Sequence, residues 1–372
     1  MPQKKKTKKE KKKTITKKRE KKERKKAPAM KVIKKNDFSN FVNALIKDKS
    51  RTVVGVKSKW NKFVFDTLTS ADELRLDYDV TILPPKKYFL LPTETLLGYK
   101  LSDKFSVQAV NEVKPLIIIG IHPYDLTAIR QMDTVFKDSN PDYNYIRKRE
   151  EAILIGVNIQ NTSPYAFAGS MGTATADNGF DLMLTDIGDK YTIEIGSEKG
   201  TALIKKYAKV SDADGDTVKK VQRIKKEISS KFEKRIDFKP EELPKLLVEN
   251  YNHAIWSEKA KTCLSCGSCN LVCPTCYCFD VQDITELNLK DGKRIRTLDG
   301  CLLGDFAKVA TGENFRKDRA ARFRHRFMRK GSYLYDKFGF IACVGCGRCT
   351  SGCLPDIADP VKVFNSLKGG AK

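Results

Sequence analysis

The 372 residues are 40% hydrophobic, enough for a buried core, and the longest strongly apolar run, Leu116–Ile121, is far shorter than the roughly 18 residues of a membrane span. Of the net charge of +25, residues 1–26 supply +13 from 16 Lys/Arg and 3 Glu, so the remaining 346 residues are only moderately basic at +12. A charged N-terminus with no apolar segment behind it is not what a secretory leader looks like, and a cytoplasmic location is expected.

Residues 1–30 hold almost nothing apolar and read as a disordered Lys-rich tail. Such tails can touch nucleic acid or acidic surfaces, but no aromatic residue is interleaved with the lysines for base stacking, and nucleic acid is an unfavoured partner. Residues 31–250 read as a mixed α/β domain. A short helix is expected from Asp37 to about Lys47. The apolar run ending at Ile121 suits a buried strand, followed by a helix with Leu126, Ile129, Met132 and Val135 on one face and Asp125 as its N-cap. Ala152–Ile159 reads as another buried strand. Leu182–Ile187 and Tyr191–Ile195 read as a hairpin around Gly188-Asp189-Lys190, and a charged helix is expected over about 216–234. Pro240-Glu241-Glu242 opens a helix leading into the cysteines. The domain contains no Gly-x-Gly-x-x-Gly and no P-loop lysine, and Gly169–Gly172 is only a tight loop. A flavin or nicotinamide, if needed, belongs on another subunit.

All 11 cysteines lie between Cys263 and Cys353. Clustered thiols in a long chain point to metal in a reducing compartment rather than to disulfides. Cys263-x2-Cys266-x2-Cys269-x3-Cys273-Pro274 is matched by Cys343-x2-Cys346-x2-Cys349-x3-Cys353, with Leu354 before the proline. Three thiolates at two-residue gaps wrap three corners of one iron–sulfur cube, and the fourth, near a proline, leaves toward the other cube. Cluster A is therefore expected on Cys263, Cys266, Cys269 and Cys353, and cluster B on Cys343, Cys346, Cys349 and Cys273. Zinc also uses Cys-x2-Cys, but in two pairs per site, whereas three-plus-one occurs here twice. Gly267, Gly345 and Gly347 suit a backbone passing close to sulfide corners.

Between the motifs lie Arg316, Lys317, Arg319, Arg322, Arg324, Arg326, Arg329 and Lys330. They serve either to favour the reduced, more negative clusters or as a solvated face for an acidic partner. Cys276, Cys278 and Cys301 remain. They read either as a partial ligand set for a third cluster, completed by Asp280 or His325, or as redox thiols without metal.

At CLSCGSCNLVCPTCYCFD (263–280) the sequence becomes specific. With GCLLGDFAKVATGENFRKDRAARFRHRFMRK (300–330) and FGFIACVGCGRC (338–349), it resembles the iron–sulfur beta subunit of cytoplasmic sulfhydrogenases and the related iron–sulfur subunit of anaerobic sulfite reductase. ELRLDYDVTILPPKKYFLLPTETLL (73–97), GIHPYDLTAI (120–129), SMGT (170–173) and FDLMLTDIGDKYTIEIGSEKG (180–200) extend the resemblance over about residues 30–365. It implies an electron-transfer subunit between a flavin-containing diaphorase-type subunit and a catalytic one, either a [NiFe] hydrogenase or a sulfur- or sulfite-reducing component. The eight cluster cysteines carry over by position, and Cys276, Cys278 and Cys301 also match cysteine positions. The segment before Ser170 carries none of the cysteines common there in relatives, and the usual arginine and cysteine at the strand-end turn are here His122 and Tyr124.

The expected architecture is α+β: a mixed α/β domain (31–250), then a helical ferredoxin-like domain (251–372) with two [4Fe–4S] clusters. With no catalytic residue evident, an electron relay is the leading function. A heterodisulfide-reductase-like carrier and a nucleic-acid-associated protein with structural clusters are the alternatives.

Overall fold

The computed structural model describes residues 30–101 and 104–369. The basic tail expected to be disordered lies outside them, apart from Met30, which opens β1 (Met30–Lys34). In chain order follow α1 (Lys35–Lys47), β2 (Thr52–Lys59), β3 (Lys62–Thr67), β4 (Thr93–Lys100), β5 (Ser106–Ala109), β6 (Leu116–Ile121), α2 (Pro123–Lys137), α3 (Tyr143–Glu151) and β7 (Ile153–Val157). Then come β8 (Leu182–Asp186), β9 (Lys190–Ile195), α4 (Glu198–Tyr207), β10 (Ser211–Asp212), α5 (Gly215–Ile228), α6 (Leu243–Glu249), α7 (Ile255–Thr262) and α8 (Ser268–Leu271). The hairpin β11 (Phe279–Thr285) and β12 (Asp291–Leu298) precedes α9 (Arg319–Met328), α10 (Leu334–Phe338), α11 (Arg348–Ser351) and α12 (Pro360–Gly369).

The larger sheet has the order β10-β1-β9-β8-β7-β6-β2-β3. Its centre, β2-β6-β7-β8, is parallel. That explains why β6 (LIIIGI) and β7 (ILIGV) are apolar on both faces rather than alternating: each is buried on both sides. Phe41, Val42 and Leu45 of α1 join Ile118, Leu154 and Leu184 in the core. The expected hairpin is β8–β9, pairing Leu182 with Ile195. The charged helix forms as α5 but ends at Ile228, where a 3-10 turn (Ser229–Lys231) replaces its expected last residues.

Three details differ from the sequence expectation. Asp125 is not an N-cap: the extended residue before α2 is His122, Pro123 takes the first helical position, and Asp125 is buried within the first turn. The buried face of α2 ends on Phe136 rather than Val135. The cysteine-bearing part is also not wholly helical. Its β11–β12 hairpin pairs through β12 with β4, giving a second sheet, β11-β12-β4-β5, drawn from both halves of the chain. Arg296 of β12, Glu94 of β4, Lys148 of α3 and Asp142 at its N-cap form a buried ionic knot that fastens this sheet to the α/β layer.

A helical core of Leu243, Leu247, Trp256, Phe323, Phe327 and Phe364 lies under the cysteine motifs. Between it and the large sheet is a seam made of Tyr124, Ala128, Ile159, Ala166, Ala168, Phe232, Val344 and Cys346. The second motif therefore docks at the carboxyl ends of β6 and β7, where open parallel sheets commonly place their sites. Among the described residues, no helix is long and apolar enough to cross a membrane.

Candidate metal centre

The two motifs fold alike, because the same spacing imposes the same turns. Gly267 (φ 72°) precedes α8 and Gly347 (φ 76°) precedes α11, both left-handed, and these two short helices pack together. Two residues earlier, Ser265 and Gly345 are left-handed as well, at φ 51° and 68°. Cys273 N–H donates to the Asn270 carbonyl and Cys353 N–H to the Thr350 carbonyl, each at 3.2 Å, so both fourth cysteines leave their helices in the same way. The glycines also serve the seam. A Cβ on Gly345 would lie 2.7 Å from the Ala168 amide nitrogen, and one on Gly347 would lie 2.5 Å from the Tyr165 carbonyl carbon.

Cys343, Cys346 and Cys349 line one pocket together with Cys273 of the first motif. Phe167, Pro274, Phe327 and Phe364 complete its largely apolar wall. Burial is the main cause that pushes the Cys343 thiol up to about 12. Burial raises Cys346 and Cys349 as well, so these three thiols stay protonated when bare and a metal group must displace their protons, whereas Cys273 is lowered, chiefly by its hydrogen bond with Cys276. Arg326 and Lys330 enter the same pocket from α9 and from the π-helical turn Arg329–Tyr333 that continues it. They are 3% and 7% exposed, and neither forms an ion pair with a carboxylate among the described residues. Burying two cations without a counter-charge is costly. Four thiolates around an anionic group supply that charge, so the residues fit an iron–sulfur cluster.

In the other set, Cys263 and Cys269 are buried, Cys353 is half-buried and Cys266 is exposed. Cys269 is pushed to about 12, mainly by burial, with Cys353 among the neighbours that add to the rise. Around this set Leu264, Leu271 and Leu354 face solvent. Among the described residues, no three Cys, His, Asp or Glu side chains converge at single-ion spacing.

Of the spare cysteines, Cys276 and Cys301 are both buried against Asn270, whose amide nitrogen lies 3.5 and 3.4 Å from their sulfurs. Cys278 sits beside Cys301, and its carbonyl accepts from the Asp299 N–H at 3.0 Å. The two candidate outside ligands are elsewhere. Asp280 is exposed on β11 and bonds Gln282, while His325 packs near Tyr333.

The basic stretch divides by side. Arg322, Arg326 and Lys330 are buried at four-residue intervals, while Lys317 and Arg319 are exposed. Arg322 donates to the Leu302, Arg316 and Lys317 carbonyls and to Ser265 Oγ. The sequence signal for this stripe is its four-residue spacing beside Phe323 and Phe327. Lys86, which sequence reasoning missed, is buried and donates at 2.8 Å to the carbonyls of both Cys273 and Cys276. It lies in a 3-10 turn with no periodic signal. Arg348 and Asp125 were missed as partners too; each side chain is buried against the other.

Residues 262–357 match the family model of a 4Fe-4S dicluster domain. Over 334 residues, 90% of this chain and 96% of the relative, the sequence is 33% identical to the sulfhydrogenase 2 subunit beta of Pyrococcus furiosus. The chain belongs to the sulfhydrogenase beta-subunit family. It is an iron–sulfur electron-transfer subunit, and its dicluster domain implies two [4Fe–4S] clusters. No solved structure matches it significantly. Family membership covers the α/β half as well as the cysteine motifs, since the aligned stretch is more than three times as long as the dicluster match.

Proposed function

We propose that this chain relays electrons between a flavin-bearing, NAD(P)H-linked subunit and a catalytic subunit that is a hydrogenase or reduces sulfur or sulfite, in the cytoplasm. The observation that carries the relay is the pocket shared by Cys273 and the second motif, with Arg326 and Lys330 as its uncompensated cations. Cys343, Cys346, Cys349 and Cys273 would hold cluster B, and Cys263, Cys266, Cys269 and Cys353 would hold cluster A. Each group, when bound, supplies a site that accepts and returns one electron at a potential set by its surroundings.

The chain's own residues do the rest. Phe167, Phe327 and Phe364 keep water from the B set. Arg348 anchors the second motif on Asp125, and Lys86 pins the turn after Cys273. The exposed Cys266, with Leu264, Leu271 and Leu354 around it, offers set A as the face toward a redox partner. The choice of partner subunits is supported by the kinship with a sulfhydrogenase subunit. Cys276 and Cys301 are read as hydrogen-bonded thiols, and Cys278 as a thiol beside Cys301, next to the B set rather than as ligands of a third cluster.

Anaerobically purified protein should contain iron and acid-labile sulfide in equal amounts and show cubane signals by electron paramagnetic resonance on reduction. Zinc without sulfide would overturn the proposal. For the partners, the test is co-purification of the tagged chain with a flavoprotein, followed by NAD(P)H-dependent bleaching of the cluster absorbance.

A further inference from the structure

The two cysteine sets sit in unequal electrostatic surroundings. Lys330 lines the B pocket. Its ammonium donates to Thr275 Oγ1 at 2.8 Å, and that hydroxyl lies 3.4 Å from Cys273 Sγ and donates to the Ala342 carbonyl at 2.5 Å. Arg326 lines the same pocket, the thiols of Cys269 in set A and of Cys349 and Cys273 in set B favour its charged form against the cost of burial, and its Nε has no hydrogen-bond partner. Both cations line the B pocket, whereas set A opens to solvent at Cys266.

We propose that Lys330 selectively raises the reduction potential of the group held by Cys273, Cys343, Cys346 and Cys349, and that Arg326 raises the potentials of both groups. One-electron reduction of an iron–sulfur group adds one negative charge, and a cation fixed nearby in a low-dielectric pocket favours the more negative form. Solvent screens the same effect at the exposed set. This proposal deepens the relay assignment and rests on the ligand sets given above. It resolves the basic stretch into two tuning cations and a remainder with other tasks.

The experiment is a redox titration of the full chain, followed by electron paramagnetic resonance, with iron and sulfide counted for every variant. Cys346→Ser identifies the B signal. In Lys330→Gln, which keeps a donor for Thr275, the B midpoint should move to more negative potential while the A midpoint stays. Lys330→Arg, which keeps the charge, should restore it. Arg326→Gln should lower both midpoints. Unmoved midpoints at full iron content in Lys330→Gln, or equal shifts of both signals there, would overturn the proposal. If Lys330→Gln loses iron, Arg326→Gln decides: unmoved midpoints overturn it and a joint fall supports it. A wild-type chain without cubane signals would fail at the earlier step, before any variant is compared, so the two failures are distinguishable.

Discussion

Arg348, between two cysteines of the second motif, closes a two-pronged ion pair on Asp125, 223 residues earlier, at 2.7 and 2.6 Å. It also donates to Thr81, with Nε on the carbonyl at 2.8 Å and Nη2 on Oγ1 at 2.9 Å. Tyr124 lies under the guanidinium, His122 Nδ1 is 2.7 Å from the Tyr124 hydroxyl, and Tyr78 stacks on the His122 ring. The strand-end turn that carries His122 and Tyr124 is thus a buried support for the second cysteine motif.

Asp125→Ala leaves the Arg348 guanidinium buried without its counter-charge and is expected to cost roughly 3–5 kcal/mol. Arg348→Lys should keep only part of the pair's contribution, because one ammonium cannot reproduce the fork. Denaturant unfolding followed by the emission of Trp256, which is buried in the helical core, measures both. Stability equal to wild type in Asp125→Ala would show that the pair does not hold the seam.

Gly345→Ala should be far more damaging than Gly339→Ala, although both glycines are left-handed, at φ 68° and 78°. At Gly339 a Cβ meets nothing within 4 Å, so the cost is the backbone conformation alone, about 1–2 kcal/mol. At Gly345 the methyl would press on the Ala168 backbone, which can move only by opening the seam. Iron content and melting temperature of the two variants, measured side by side, test this.

The whole chain is expected to hold about eight iron atoms, two cubes' worth. Cys301→Ser should leave the count unchanged, because the Cys276 and Cys301 sulfurs are taken up by the Asn270 amide, and Asp280 and His325 lie elsewhere. A clear excess over that count that disappears in Cys301→Ser would establish a third cluster.

Burial is the largest cause that lowers His325 to about 4, aided by Arg316 and Arg329. A histidine depressed in the folded state adds stability above its unfolded pKa of about 6.5 and loses it as the pH falls toward 4. His325→Gln should therefore flatten the fall in stability between about pH 6.5 and 4, while leaving the slope above pH 7 unaltered. His122, buried and shifted the same way, keeps part of the acid sensitivity in the variant. Unfolding midpoints across that range, variant against wild type, read the difference.

What the sequence determined by itself was local. Cysteine gaps of two and three residues act within a single turn, so the paired motifs, their glycines and the continuous apolar strands β6 and β7 were all legible from spacing and burial pattern. The tertiary structure decided what depends on distant contacts. Asp125 looked like a helix cap because its true partner is 223 residues away. Lys86 lay in an unpatterned turn. The β11–β12 hairpin found its sheet partner in β4, across just over half the chain. Eight basic residues between the motifs looked alike in sequence, since charge is a property of the residue and burial a property of the packing. Only the fold turned Arg326 and Lys330 inward, into the pocket that the cysteines of both motifs share.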